Sequence, residues 1–181
     1  MPRPALIFPG QASAWQLALA DAAASPATAH RLAQLIDAAV ALTGPVARPL
    51  ASVVPGVQER LRELIDPDHG TPRADIDALP AVSVPGILLA QIAAAEHLRD
   101  LGLPVDVNTT IMDGHSQGIL GVAALDDPVQ ALAFAFILGA AACSVYGATD
   151  TQSRMLSVRG VRTQQMSEYS PVAVINGPRH S

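Results

Sequence analysis

Residues 109–125 read TTIMDGHSQGILGVAAL, and this stretch decides the fold class expected for the chain. The β-branched and apolar residues at 109–112 predict a short strand, and the apolar residues at 119–125 predict a helix. Between the two lies GHSQG at 114–118, which has the form G-x-S-x-G. A strand, a sharp turn bounded by glycines and a helix are typical of the nucleophile elbow of α/β proteins.

The spacing within this motif follows from the chemistry of an activated serine. An abrupt turn from strand to helix strains the backbone at Ser116 and lifts its hydroxyl above the sheet. Glycines at 114 and 118 leave out the Cβ atoms that would crowd such a turn. The Gln117 backbone N–H then lies at the start of a helix, where it can donate to a developing oxyanion. We predict that Ser116 is a nucleophile; the alternative is an ordinary glycine-rich turn.

Segments before the motif predict a parallel α/β core. PALIFP at 4–9 is typical of a buried parallel strand that ends in a loop. Helices are expected at 28–42, where Gly44-Pro45 would end the helix, and at 57–65. The residues at 66–80 are rich in proline, aspartate and glycine and predict a loop.

A longer apolar helix is expected before the second strand. Ser83 could cap its start, Pro85 would lie in its first turn, and Gly102 would follow its last residue. Residues 128–149 form a further stretch without a charge that is long enough to cross a bilayer. Because this stretch consists mainly of small residues and has acidic flanks, we predict a buried helix of a soluble protein rather than a membrane span.

The composition excludes several classes of protein. Half of the 181 residues are hydrophobic and 15% are charged, which excludes a largely disordered chain. The net charge is −5, so the basic excess of a nucleic-acid binder is absent. A single cysteine, Cys143, excludes an internal disulfide and a cysteine-rich metal site. The N-terminus does not resemble a signal peptide, and we expect a cytoplasmic protein without metal, nucleic-acid or membrane partners.

Three successive stretches resemble landmarks of the acyltransferases that load acyl groups from coenzyme A onto acyl carrier protein. They are FPGQAS at 8–13, GHSQG at 114–118 and MLSVRG at 155–160. SVPGILLAQ at 83–91 and NGPR at 176–179 are similar, more narrowly, to the acetyltransferase domain of bacterial type I fatty acid synthase. The resemblance covers essentially the whole chain.

The resemblance implies a fold and a domain division. Residues 1–150 would form an α/β-hydrolase-like core with a parallel sheet and a nucleophile elbow. Two further strands, at 155–161 and 171–175, would belong to a small ferredoxin-like subdomain that begins at residue 154. In the family the catalytic histidine follows this subdomain, so the base would lie beyond Ser181 and the chain would be a truncated form of the domain.

The resemblance also assigns roles to individual residues. Ser116 would carry the acyl group, while Gln11 and the Gln117 backbone N–H would form the oxyanion hole. His115 and Gly10 would shape the substrate site. The implied substrates are acetyl-CoA and the phosphopantetheine thiol of acyl carrier protein, with no further cofactor. The implied partners are the other domains and subunits of a homo-oligomeric fatty acid synthase.

The distribution of charged residues limits the acyl groups that the site is expected to accept. Relatives that use malonyl groups clamp the free carboxylate with an arginine on the helix after the elbow. Here residues 100–153 contain no arginine or lysine, and the equivalent helix reads ALAFAFILGAAAC at 131–143. An unpaired carboxylate against that wall would cost several kcal/mol, so we expect an uncharged group, with acetyl favoured.

The residues themselves leave three alternatives open. None of the five histidines is a convincing base, because His115 adjoins the serine and the others fall on polar helix faces, in a loop or at the chain end. A transacylase for malonyl or other acyl groups and a serine thioesterase or hydrolase would carry the same elbow. A non-catalytic piece that assists assembly is the third possibility. Trp15 has no matched role and is expected to pack.

Overall fold

The computed structural model describes residues 5–10, 14–51, 56–66, 73–106, 108 and 110–146. Most of them are helical, and two short strands form a parallel sheet, which makes this part of the chain an α/β structure. The elements are β1 (Ala5–Phe8), α1 (Trp15–Ala23), α2 (Pro26–Ala51), α3 (Val57–Leu64), α4 (Ala74–Asp77), α5 (Pro80–Asp100), β2 (Ile111–Gly114), α6 (Ile119–Ala123) and α7 (Pro128–Tyr146). The predicted strands at 155–161 and 171–175 and the domain that would begin at 154 lie outside the described residues.

The two strands pair in register, with Ala5 opposite Ile111 and Phe8 opposite Gly114. Parallel neighbours need a crossover connection, which here consists of α1 to α5. The parallel strand predicted at 4–9 is present at Ala5–Phe8, but the expectation that it is buried is wrong, because Phe8 alone of its four residues is buried and Ile7 is 65% exposed. The second strand begins two residues later than predicted, because Thr110 donates from its backbone N–H to Asp106 and from its hydroxyl to Pro104. Those bonds hold Thr110 in a turn and keep it out of the sheet.

Helix α5 lies at the centre of the fold. Most of its side chains between 81 and 95 are buried, and it packs against α1 and α7, while α2 packs against α7. The prediction that Ser83 caps this helix is wrong, since the helix begins at Pro80 after the extended Leu79. Proline suits that first position because its fixed φ is already helical and its missing N–H needs no partner. Pro85 therefore lies inside the helix, buried in the core.

The end of α5 agrees with the prediction. Gly102 has a φ of +80°, a left-handed conformation that favours glycine. Its N–H donates to the Arg99 carbonyl at 2.8 Å, and the Leu103 N–H donates to the Leu98 carbonyl at 3.0 Å. This pair of bonds is a Schellman motif, which turns the chain toward β2.

Helix α2 is longer than the sequence predicts, because it continues through Gly44-Pro45 to Ala51. A proline inside a helix costs about 3 kcal/mol. Leu32, Ile36 and Ala39 of the same helix are fully buried in the core shared with α7. Each buried methylene stabilises by about 0.8 kcal/mol, so these contacts stabilise the part of α2 that precedes Gly44-Pro45.

The predicted loop at 66–80 contains a helical turn, α4, held by a buried ion pair. Arg60 of α3 donates from Nε to Asp77 Oδ1 at 2.8 Å and from Nη2 to Oδ2 at 2.9 Å. The Arg73 backbone N–H donates to the same Oδ2 at 2.8 Å. Asp77 is fully buried, and its hydrogen bonds raise the pKa of the Arg60 guanidinium. The predicted helix at 57–65 corresponds to α3 and is confirmed.

Among the described residues, α5 is the helix that is long and apolar enough to cross a membrane by length and composition, and 72% of that window is buried in the fold. The uncharged stretch that begins at residue 128 forms α7. The apolar part of this helix, Pro128–Cys143, is shorter than the apolar window of α5. Cys143 of α7 is buried, and burial raises the pKa of its thiol. The Ala81 N–H donates to its Sγ at 3.3 Å, which joins α7 to the start of α5.

Candidate active site

Ser116 is the second residue after β2 and has a strained backbone conformation. Its φ is +55°, and in the part of the chain that the structure describes no other residue except glycine has a positive φ. A residue with a Cβ adopts this left-handed region at a cost of about 1–2 kcal/mol. The His115 N–H donates to the Phe8 carbonyl at 3.1 Å, and a single 3-10 turn, Ser116–Gly118, then leads into α6. The backbone at this position therefore has the strained turn that the motif predicts, and the Ser116 side chain is exposed.

The two glycines of the GHSQG turn (residues 114–118) are both required by space. A Cβ on Gly114 would overlap the backbone of Gly118, and a Cβ on Gly118 would overlap the carbonyl oxygen of Phe8. Since the overlapping atoms are backbone, no change of rotamer could relieve the contact. The prediction that side chains at these positions would crowd the turn is confirmed, and the same close approach seats the start of α6 against the end of β1.

We expect Gly118→Ala to lower the free energy of unfolding by about 3 kcal/mol, near the upper end of overpacking costs. Gly118 has a φ of −57°, where alanine would ordinarily stabilise a helix, so a loss would come from the overlap with Phe8 alone. Gly102→Ala is the matched control, because its Cβ would meet nothing within 4 Å and only its positive φ, costing about 1 kcal/mol, is unfavourable. Urea unfolding measures both, and a Gly118→Ala variant as stable as the wild type would contradict the close approach.

The loop that follows β1 contacts the GHSQG turn at the serine. Gly10 is buried, and a Cβ placed on it would lie 2.7 Å from the His115 carbonyl oxygen and 3.2 Å from the Ser116 Cβ. The structure thus brings Gly10, His115 and Ser116 together, as the predicted substrate site requires. Gln11, the predicted side-chain member of the oxyanion hole, lies outside the described residues, so its place beside Ser116 stays a prediction.

Gln117 has a structural contact that the sequence analysis missed. Its side chain is 9% exposed, and its Nε2 donates to the Val84 carbonyl oxygen at 2.6 Å. This bond fastens the GHSQG turn to the first half of α5. The side chain is directed into the fold, and the predicted oxyanion contact uses the backbone N–H instead. No local pattern could have revealed the bond, because its partner is 33 residues away.

Gln91 is a second glutamine that sequence reasoning gave no role. It lies on α5, is 5% exposed, and donates from Nε2 to the Pro9 carbonyl oxygen at 2.6 Å. Pro9 immediately precedes Gly10, so this bond holds the loop that contacts Ser116. The Oε1 atoms of Gln91 and Gln117 are both buried and accept no hydrogen bond from the described residues.

An apolar cavity of about 280 Å³ lies between β1, α1 and α5. Leu6, Phe8, Trp15, Ile87 and Gln91 are among its lining residues, whereas Ser116 is not. The cavity therefore does not surround the serine. Trp15 is buried, and its ring fills the space that a side chain at position 86 would need, which confirms that it packs.

Two of the histidines within the described residues lie on exposed positions of helices. His30 contacts Gln34 on the exposed side of α2, and His97 is exposed near the end of α5, as predicted. His69 and His180 lie outside the described residues. In the described part, no group of three or more histidine, cysteine, aspartate or glutamate side chains could hold a metal ion.

Comparison with models of known protein families and with curated proteins gives no match for this chain.

Proposed function

We propose that this chain is an acyltransferase domain with an α/β-hydrolase-like core, which transfers an acyl group, most favourably acetyl, from coenzyme A to acyl carrier protein. One observation carries the proposal: an exposed serine with a φ of +55° at the end of a parallel strand, seated against the loop after the neighbouring strand. Strain of this kind is maintained by surrounding structure at functional sites. The resemblance of 8–13, 83–91 and 114–118 to the acyltransferases supports the choice of reaction.

The proposed reaction has two steps through a serine ester. Ser116 Oγ attacks the thioester carbonyl of acyl-CoA, the tetrahedral oxyanion accepts hydrogen bonds from the Gln117 backbone N–H and from Gln11, and the coenzyme A thiol leaves. The phosphopantetheine thiol of acyl carrier protein then attacks the ester, and Ser116 regains its proton. In the family that the sequence resembles, a histidine moves the proton in both steps, and the proposed reaction needs a base in that role.

The charge of the described residues supports an uncharged acyl group. Residues 101–106, 108 and 110–146 contain no arginine or lysine, and α7 contains no charged residue. Three of the arginines before them pair with carboxylates elsewhere: Arg31 with Glu96, Arg60 with Asp77, and Arg62 with Asp37. A malonyl carboxylate would find no clamp on α7. We propose a cytoplasmic protein that works with the other domains of a homo-oligomeric fatty acid synthase.

Substrate competition tests this function. With the full-length protein and acyl carrier protein, we expect kcat/KM for acetyl-CoA to exceed that for malonyl-CoA by at least about 100-fold, because an unpaired carboxylate costs several kcal/mol. Mass spectrometry of the carrier protein measures both transfers. Preferential malonyl transfer would contradict the acyl preference, and hydrolysis of acetyl-CoA at an equal rate without carrier protein would make the enzyme a thioesterase.

A further inference from the structure

Gln91 joins the central helix to the loop that approaches the candidate nucleophile. Its Nε2 donates to the Pro9 carbonyl oxygen at 2.6 Å, across 82 residues of sequence. The next residue, Gly10, is the one whose Cβ position lies 3.2 Å from the Ser116 Cβ. The approach of Gly10 to Ser116 therefore depends on this bond.

The carbonyl oxygen of the Gln91 side chain lowers the stability of the fold. Gln91 Oε1 is buried without a donor among the described residues, and it lies 2.7 Å from the place that a Cβ on Gly121 would take. A buried acceptor without a partner costs at least as much free energy as the bond to Pro9 contributes. An apolar side chain of similar volume would suit this site at least as well, because the cavity beside it is lined by Leu6, Phe8 and Ile87. Stability alone therefore does not account for a glutamine at this position.

We propose that Gln91 is a positioning residue for acyl transfer, which holds the Pro9 carbonyl so that Gly10 meets the turn at Ser116 in the geometry that acyl transfer needs. The inference rests on the proposed function, since it assigns Gln91 a part in that reaction. Gln91 touches neither the serine nor the acyl group. A displacement of about 1 Å at such a site can lower the rate by about 100-fold, which is the size of effect expected here.

The first test is Gln91→Met, which keeps the length of the side chain and removes both polar atoms. We expect kcat for acetyl transfer to fall by about 10- to 100-fold while KM for acetyl-CoA is unchanged, and the urea midpoint to stay equal or rise. Glu96→Met is the matched control, because Glu96 lies on the same helix and its carboxylate bonds to Arg31 of α2 rather than to the loop. It should leave kcat unchanged.

A second variant, Gln91→Glu, adds a pH readout that a purely structural role would not give. The neutral carboxyl can donate its O–H to the Pro9 carbonyl, but the ionised form has only acceptors. Burial raises the pKa of such a carboxyl, and the cavity beside it has no ionisable side chain in its lining. Activity relative to wild type should therefore be highest at low pH and fall as pH rises through the pKa of the introduced group, at pH values where the variant is still folded by circular dichroism.

The outcomes separate the two proposals. If wild-type protein is not acylated at Ser116, the proposed function fails. If it is acylated and Gln91→Met retains full kcat, or if kcat and the urea midpoint fall together in both glutamine variants without the pH dependence, the positioning role is overturned.

Discussion

Ser116→Ala is expected to abolish acyl transfer, with a fall in kcat of at least about 1,000-fold in the full-length protein. The substitution removes the Oγ that forms the ester, so the residual rate would come from bound substrate and the oxyanion contacts alone. The fold should persist, because the Ser116 side chain is exposed. Ser25→Ala is a suitable control, since the Ser25 hydroxyl only accepts the Thr28 N–H at the start of α2.

Ser116→Gly extends the same test to stability. Glycine adopts a φ of +55° without the cost that a Cβ imposes, so this variant should be about 1 kcal/mol more stable than the wild type and equally inactive. A gain in stability with a loss of activity is expected where strain serves function. Full acyl transfer by either Ser116 variant would instead favour a non-catalytic role in assembly.

Asp77→Ala has the largest expected effect on stability, a loss of about 3–5 kcal/mol. Asp77 is fully buried, and its two oxygens accept bonds from Arg60 and from the Arg73 backbone. Without the carboxylate, the guanidinium of Arg60, a residue that is itself 5% exposed, loses its bidentate partner. Its ion pair with the half-exposed Glu63 remains. The α4 turn would lose its attachment to α3.

Asp37→Ala provides the comparison for this effect. Asp37 pairs with Arg62, and both side chains are about half exposed, so water and salt screen the pair. We expect its removal to cost less than about 1 kcal/mol. Urea denaturation of the two variants measures the difference in the free energy of unfolding. Equal losses would contradict the expectation that the buried Arg60–Asp77 pair matters more for stability than the exposed pair.

Short sequence patterns predicted the structural features that depend on neighbouring residues. The strand at 4–9, the turn at 114–118 and the glycine after α5 each follow from a few neighbouring residues, and all three are present. The strained φ of Ser116 was predictable because glycines two residues before and two residues after it are what such a turn requires.

Features decided by distant contacts could not be predicted in this way. Helix α2 continues through Gly44-Pro45 to Ala51, although this pair is a local signal for the end of a helix. The pairing of Arg60 with Asp77 and the bond from Gln91 to Pro9 join residues 17 and 82 positions apart. Of the candidate site, the serine and the crowding around it were predictable, whereas the two glutamine side chains that fasten it were not.

Covalent labelling shows whether Ser116 is the residue that carries the acyl group. The full-length protein is incubated with acetyl-CoA, denatured in acid and analysed by intact-mass and peptide mass spectrometry. We expect one added acetyl group per chain, located on the peptide that contains Ser116, and no addition in Ser116→Ala. Acetylation at another residue, or acyl transfer to carrier protein that leaves no acetyl on Ser116 and survives its replacement by alanine, would contradict it.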